Sequence, residues 1–350
     1  MPPKIKPRLT IRRLFLLVFL VGLGCFSNLI PADSSQSETT KEQRNRPTKP
    51  DLGTKTPKED TKGFTIGVNV DLVVMHTSVY DKNGLFVSGL KQDNFKVYED
   101  GIEQKISSFS QEDVPLSMGL LIDLSGSMRT RIDKVNSAAL AFIRASNPED
   151  QVFLIGFNEE VELLQDYTND IDEITDSLEN TIVSGGTALY DAVYLGVQKT
   201  HAGSKPKKAL VVITDGEDKD SYYSLDEMVA KVQESDVQVF AVGFLSAIPD
   251  KGLFGRFNKS APEKARDALQ RICEETGGKA FFPKDISEMG AIVAEIAHEL
   301  RNQYSIGFTS SNSTRDGSWR RMKIELNAKD MKDIHVRCRR GYYAPKSSNQ

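Results

Sequence analysis

Residues 123–128, Asp-Leu-Ser-Gly-Ser-Met, place three oxygen-bearing side chains at alternate positions of one turn. The turn directly follows residues 115–122, a nearly unbroken apolar run that predicts a fully buried parallel strand. A glycine lets the turn bend tightly, and Asp123, Ser125 and Ser127 carry the oxygen ligands that hard cations prefer. Because ligands of a doubly wound sheet bind beyond the carboxyl ends of its strands, the turn is a candidate metal site.

Two more oxygen-rich segments are predicted to lie at the same edge of the sheet. Residues 184–187, Ser-Gly-Gly-Thr, precede a helix, and residues 214–217, Thr-Asp-Gly-Glu, follow a strand. Thr187 and Asp215 could therefore complete a set of five ligands that converge on one point: Asp123, Ser125, Ser127, Thr187 and Asp215. Taken singly, Ser, Thr and Asp at such positions are equally typical of helix caps, and that alternative stays open.

The elements that must position these turns alternate between strands and helices. Short apolar runs predict further buried strands at 152–157, 209–213 and 237–244. Apolar residues at helical spacing predict helices over 132–143, 171–178, 189–197, 225–232, 265–273 and 286–300. The alternation predicts an α/β fold with a doubly wound (Rossmann-like), mostly parallel sheet, right-handed crossovers and helices on both faces.

Both ends of the globular part show the two-residue period of β-strands. Residues 64–113 alternate apolar and polar side chains, with a turn at 81–84 and a hairpin over 95–109, and residues 303–345 alternate again. Neither segment supplies enough strands for a stable sheet alone. We therefore expect both to pair in a smaller β-sandwich, into which an α/β domain of residues 114–302 is inserted.

The five candidate ligands resemble the metal-ion-dependent adhesion site (MIDAS) of the von Willebrand factor A (vWFA) family. That site has the form Asp-x-Ser-x-Ser, followed by a distant Thr and then an Asp. The resemblance covers residues 115–302, and all five positions match. The whole chain also resembles bacterial secreted proteins related to this family, through residues 93–101 and the closing residues 341–344.

The resemblance implies a role for each ligand. Ser125, Ser127 and Thr187 would contact the cation directly, whereas Asp123 and Asp215 would act through water. Because hydroxyls are neutral, a divalent ion would keep an open position for an outside carboxylate. We therefore expect Mg²⁺, with Mn²⁺ as an alternative, and a protein partner that presents an Asp or Glu.

Residues around the site have two interpretations each. Four could form a rim that contacts a partner: Glu217, Asp218, Phe254 and Phe257. Alternatively, the acidic residues, together with Asp220, form a solvated loop, and the loop 246–261 packs its aromatic residues into a local core. Asp191, one turn into its helix, is predicted to favour the positive end of the helix dipole.

The first 32 residues are predicted to be a signal peptide, with an uncleaved N-terminal anchor as the alternative. Basic residues precede an apolar run over 14–26, which is short for a membrane span and typical of a signal peptide. Residues 33–63 have almost no large apolar side chain and are predicted to be a disordered linker. Beyond them, Cys273 and Cys338 both follow core patterns, which favours free thiols over a disulfide.

Charge and motifs favour a binding protein over an enzyme. The 350-residue chain has a net charge of −4, and five basic residues precede its first acid, Asp33, so the remainder is more acidic still. A nucleic-acid partner is therefore not expected. The sequence contains no Gly-x-Ser-x-Gly elbow, His-Glu-x-x-His pair or phosphate-binding loop.

We therefore expect an exported adhesion or assembly module that captures an acidic residue of its partner through the MIDAS cation. It would be secreted, periplasmic or envelope-anchored, and it would touch a membrane only through an uncleaved N-terminal anchor. A metal-assisted hydrolase and a structural scaffold that does not use the metal site are the alternatives.

Overall fold

The computed structural model describes residues 6–7, 71–245, 259–327 and 334–347. Its strands are β1 Lys6–Pro7, β2 Leu72–Tyr80, β3 Phe95–Glu99, β4 Ile102–Gln104, β5 Ile106–Ser110, β6 Leu116–Asp123, β7 Gln151–Phe157, β8 Val161–Thr168, β9 Lys207–Thr214, β10 Gln238–Gly243, β11 Ala280–Phe281, β12 Tyr304–Thr309, β13 Trp319–Leu326, β14 His335–Arg337 and β15 Gly341–Tyr343. Its α-helices are α1 Ile132–Arg144, α2 Ile171–Glu179, α3 Leu189–His201, α4 Leu225–Gln233, α5 Ala261–Thr276 and α6 Met289–Asn302.

Apart from β1, the predicted signal peptide and linker lie outside the described residues. In the part of the chain that the structure describes, no helix has the length and apolar character needed to cross a membrane.

The predicted α/β fold is confirmed. Its sheet has the order β1-β8-β7-β6-β9-β10-β11, and neighbouring strands are parallel except for the β7–β8 pair. The central strand β6 is buried along its whole length, as its apolar run predicts. Helices α1, α2 and α6 pack on one face of the sheet, and α3, α4 and α5 pack on the other.

The strand order reverses at β6, which has β7 on one side and β9 on the other. At such a switch point the loops that leave neighbouring strands turn toward opposite faces and open a crevice beyond their carboxyl ends. The turn after Asp123 and the loop after Thr214 both begin at this edge.

The two chain ends form two four-stranded antiparallel sheets, as expected for a sandwich. One has the order β14-β2-β12-β5 and the other β15-β13-β3-β4. They share an apolar core whose largest fully buried members include Met75, Tyr304 and Phe308. The turn at 81–84 is also confirmed: Asp81 Oδ1 accepts the N–H of Asn83 at 2.8 Å.

One local prediction is wrong, and one strand was not predicted. Residues 95–109 do not form one hairpin, because β4 pairs with β3 whereas β5 crosses to the other sheet and pairs with β12. The apolar pattern does not indicate strand β8, because this antiparallel strand buries only two of its residues, Val161 and Leu164.

The prediction of free thiols is confirmed for Cys273 and Cys338, and burial raises the pKa of Cys338 to about 11.

Candidate functional site

Three loops meet at the carboxyl ends of β6 and β9. Asp123 is the last residue of β6, Asp215 follows the last residue of β9, and Thr187 lies two residues before α3. The backbone N–H of Ser184 donates to the carbonyl of Leu124 at 2.8 Å. This bond holds the Thr187 loop against the turn that carries the serines.

Asp123 is fully buried beneath the turn. Its Oδ1 accepts the backbone N–H of Ser125 at 2.8 Å, and its Oδ2 accepts the hydroxyl of Thr214 at 2.6 Å. Burial raises the pKa of Asp123, the charge of Asp215 acts in the same direction, and the hydrogen bonds oppose both. The two donors therefore hold the carboxylate in one orientation at the base of the site.

Ser125, Ser127 and Asp215 form a continuous chain of polar contacts. The hydroxyl oxygens of the two serines are 3.1 Å apart, and Ser127 Oγ donates to Asp215 Oδ1 at 2.7 Å. Ser125 is buried and Ser127 is exposed. The chain of oxygens therefore runs from buried Ser125 through exposed Ser127 to the buried carboxylate of Asp215.

Thr187 completes the set from the third loop. Its side chain is buried, and its N–H donates to Asp220 Oδ2 at 2.8 Å, which fixes the backbone there. A Cβ at Gly216 would lie 3.2 Å from Thr187 Oγ1 and 3.7 Å from Asp123 Oδ2. Because this residue is a glycine, it has no side chain to crowd these two oxygens.

The structure thus brings all five predicted ligands to one edge of the sheet. Ser125, Ser127 and Asp215 are in direct contact, and Thr187 Oγ1 and Asp123 Oδ2 both lie within 4 Å of the position that a Cβ at Gly216 would take. Hard divalent cations such as Mg²⁺ and Mn²⁺ take oxygen ligands of this kind, so the residues fit such an ion.

The sequence model of the von Willebrand factor type A (VWA) domain matches residues 118–295. The chain belongs to the von Willebrand factor type A domain family. The matched range contains the serine turn, the Thr187 loop and the Asp215 loop. VWA domains typically bind a divalent metal at the MIDAS.

Several solved structures are similar to this VWA domain at low sequence identity. The PilB minor pilin from Streptococcus sanguinis is 14% identical with a TM-score of 0.43, and the match covers 55% of this chain and 62% of the pilin, less than two thirds of that protein. BatB from Bacteroides thetaiotaomicron is 19% identical over 53% of this chain and 100% of that protein, with a TM-score of 0.41. A VWA protein from Catenulispora acidiphila is 11% identical over 81% of this chain and 76% of that protein, with a TM-score of 0.45. No curated protein matches the chain.

The acidic loop after β9 is partly turned into the VWA domain. Asp218 Oδ1 accepts the N–H of Tyr190 at 3.0 Å and the hydroxyl of Ser221. Burial raises the pKa of Asp218, and Asp220 bonds the backbone of Thr187 as described above. Asp218 is half-buried and caps the start of α3, whereas Asp220 is exposed to solvent, as predicted, and also bonds the loop before α3.

The other predicted rim residues stay predictions. Glu217 is half-buried beside Asp218. Phe254 and Phe257 belong to the segment 246–258, which lies outside the described residues.

Asp191 does more than favour the helix dipole. It is buried, and its two carboxylate oxygens accept the N–H groups of Tyr222 and Tyr223 at 3.0 and 2.9 Å. These bonds fasten the end of the acidic loop to α3 and so help to hold Asp220 near Thr187.

Two side chains of the site, Thr214 and Arg131, are not indicated by the sequence pattern. Thr214 stands next to Asp215 in the oxygen-rich segment, and this adjacency is the signal that could have indicated it. Arg131 lies beyond the serine turn, and nothing in its spacing indicates that its NH1 reaches Asp215 Oδ2 at 2.6 Å.

Proposed function

We propose that this protein is an exported, metal-dependent binding module that captures an acidic side chain of a protein partner. Ser125, Ser127 and Thr187 would hold a divalent cation, with Asp123 and Asp215 behind the hydroxyls. The observation that carries this proposal is that these five side chains come from three loops that meet at the carboxyl ends of β6 and β9.

The charge of the ligands explains why a carboxylate would be the preferred partner group. Three neutral hydroxyls leave a divalent ion with most of its positive charge, which attracts an outside anion. Ser127 is exposed, so a partner can approach the site from that side. Mg²⁺ is the expected ion because it favours small, hard oxygen ligands, and Mn²⁺ suits the same donors.

The surroundings of the site favour binding over hydrolysis. Within the described ranges, no three His, Cys, Asp or Glu side chains are grouped so as to hold a metal ion. His76 contacts Ser305 in the sandwich, and His201 contacts Asp236 at the end of α3 that lies away from Thr187. Neither histidine therefore supplies a general base beside the serines, and Asp215, which accepts the Ser127 hydroxyl, is assigned to the metal site.

Export is proposed from the sequence of residues 1–32. Basic residues followed by a short apolar run are typical of proteins that leave the cytosol. A binding module in the periplasm, on the envelope or in the medium would meet its partner there.

Calorimetry with Mg²⁺ and Mn²⁺ tests the metal site directly. The wild type is expected to bind a single ion, and Ser125→Ala/Ser127→Ala should lose at least about tenfold in affinity because two direct ligands are gone. Ser137→Ala is the matched control, since this exposed serine of α1 donates to the carbonyl of Asp133 and should leave uptake unchanged. A well-folded wild type that takes up neither ion would overturn the proposal.

Partner capture tests the second half of the proposal. Proteins recovered with the wild type in Mg²⁺ should be lost with chelator and with Ser125→Ala/Ser127→Ala, but retained with Ser137→Ala. Equal recovery in all four samples would instead favour a scaffold that does not use the metal site. Replacing the acidic residues of the recovered partner one by one should then identify the captured carboxylate.

A further inference from the structure

Arg131 brings a fixed positive charge to the edge of the site. Its NH1 lies 2.6 Å from Asp215 Oδ2, with 37% of the Arg131 side chain and 4% of the Asp215 side chain exposed. The other oxygen of Asp215 accepts the hydroxyl of Ser127 at 2.7 Å. Both carboxylate oxygens of Asp215 are therefore engaged by groups of the protein itself.

Contacts fix both the backbone and the guanidinium of Arg131. Its backbone joins the 3-10 turn Gly126–Thr130 to α1, and its N–H donates to the carbonyl of Met128 at 2.8 Å. Its guanidinium carbon lies 6.0 Å from the ring centroid of Phe244, whose N–H donates to the carbonyl of Thr214 at 2.9 Å. The cation thus connects segments that follow three adjacent strands: β6, β9 and β10.

We propose that Arg131 sets the affinity of the site for its cation, a role that rests on the function proposed above. Its charge opposes uptake of a divalent ion. Its bond to Oδ2 also keeps Asp215 acting through Ser127 rather than as a direct ligand. Arg131 is therefore a positioning residue for Asp215 and an electrostatic brake on metal binding.

The charges of the site give this role a direction. Asp123 and Asp215 contribute two negative charges, and Arg131 cancels one of them. With a divalent ion bound, the site is net positive with Arg131 and neutral without it. Arg131 thus weakens the hold on the metal while it preserves the positive charge that attracts a carboxylate.

The size of the effect follows from Coulomb's law. A unit charge about 6 Å from a divalent ion in water-like surroundings changes the affinity for that ion by about tenfold. Because Arg131 is partly exposed, salt should screen the repulsion and reduce the difference.

Direct Mn²⁺ titration of the full chain by calorimetry tests the proposal without any assay of partner binding. Arg131→Gln should bind Mn²⁺ about tenfold more tightly than the wild type at low ionic strength, and less than about threefold more tightly in concentrated salt. Arg131→Lys keeps the charge and should stay within about threefold of the wild type. Arg129→Gln is the matched control, because it removes the same charge from the same turn but its guanidinium donates to the carbonyl of Val183 rather than to Asp215.

Thermal unfolding in chelator provides a second measurement. In chelator, Arg131→Gln should unfold at a lower temperature than the wild type, because Asp215 loses its charged donor. Saturating Mn²⁺ should reduce the difference in unfolding temperature between the two proteins. For Arg129→Gln, Mn²⁺ should leave the difference in unfolding temperature from the wild type unchanged.

Three results would overturn the role of Arg131. These are unchanged or weaker Mn²⁺ binding by Arg131→Gln, an equal gain in Arg129→Gln, or an Arg131→Lys variant that behaves like Arg131→Gln. In each of these cases the wild type still binds Mn²⁺, so the proposed function stands. If neither the wild type nor Arg131→Gln binds Mn²⁺ while both remain folded, the metal site and the role of Arg131 are overturned together.

Discussion

At the residue scale, two hydrogen bonds fix the orientation of one buried carboxylate at the candidate site. Asp123 has a donor on each oxygen, the N–H of Ser125 and the hydroxyl of Thr214. The same hydroxyl accepts the N–H of Gly216 at 3.1 Å. Thr214 therefore connects the base of the site to the loop that carries Asp215.

Replacing Thr214 with Val should weaken the site without touching a proposed ligand. Thr214→Val keeps the shape of the side chain but removes the donor to Asp123 and the acceptor for Gly216. We expect Mn²⁺ affinity to fall about tenfold to a hundredfold and stability to fall by about 1–3 kcal/mol. Calorimetry and urea unfolding measure the two effects, and Thr214→Ser should restore most of both. Unchanged Mn²⁺ binding in a folded Thr214→Val variant would show that Asp123 needs no second donor.

At the scale of elements, the site depends on the central strand that ends at Asp123. Gly119 lies in the middle of β6, where a Cβ would stand 2.4 Å from Phe153 Cζ and 2.5 Å from Leu210 Cδ1. The two neighbouring side chains therefore occupy the space beside the glycine. Because protein interiors are close-packed, this part of the sheet cannot accept a methyl group without displacement.

Two Gly→Ala substitutions should have opposite effects on stability. Gly119→Ala overpacks the sheet and should destabilise the protein by about 1–3 kcal/mol. Gly290→Ala, on the exposed first turn of α6, meets nothing within 4 Å and should stabilise it by about 0.5–1 kcal/mol. Urea unfolding monitored by circular dichroism measures both. A Gly119→Ala variant as stable as the wild type would mean that Phe153 and Leu210 can move aside at no cost.

Periodicity in the sequence was sufficient to predict the strands and helices of the α/β domain, because buried parallel strands are continuous apolar runs and the helices that pack on them carry apolar stripes. It was not sufficient for β8, where only Val161 and Leu164 are buried. The partners of Asp191 and Asp218 were also out of reach, since each acid bonds backbone N–H groups in another segment. The positions of the five candidate ligands followed from the strand ends, but Arg131 meets Asp215 only because β6 and β9 are adjacent.

At the scale of the whole molecule, the sandwich is fastened to the base of the α/β sheet by a buried polar network. Gln303 is the single residue between α6 and β12, and its amide donates to Ser78 Oγ at 3.0 Å and to Gln238 Oε1 at 2.9 Å. Glu299 of α6 accepts the Ser78 hydroxyl at 2.6 Å and pairs with Arg337 of β14. The network therefore joins both chain ends to the end of the sheet opposite the candidate site.

Lys207 places an ionisable group at the end of the sheet opposite the candidate site. It is the first residue of β9, its side chain is buried, and its Nζ donates to the carbonyl of Leu300. Burial lowers the pKa of Lys207 to about 7, the charge of Arg301 acts in the same direction, and three nearby acids oppose it. The folded protein therefore loses this proton far below the ordinary value of 10.5.

The stability of the wild type should rise with pH relative to Lys207→Met. Between about pH 7 and pH 10 the unfolded chain holds the Lys207 proton and the folded chain does not, so each rise in pH favours folding. Below about pH 7 both states hold the proton and the full cost of burying the ammonium remains. Whichever protein is more stable overall, the difference in unfolding free energy should shift toward the wild type by about 3 kcal/mol between about pH 6.5 and about pH 9.5.

Urea unfolding at the two pH values measures this shift. Lys208→Met is the matched control, because that neighbouring ammonium pairs with Asp236 at 3.0 Å instead of entering the base. A difference between Lys207→Met and the wild type that does not change with pH would mean that the folded protein keeps Lys207 charged. The acids around Lys207 would then fully offset the cost of burying its ammonium. This end of the sheet would hold a charged lysine among carboxylates rather than a neutral amine.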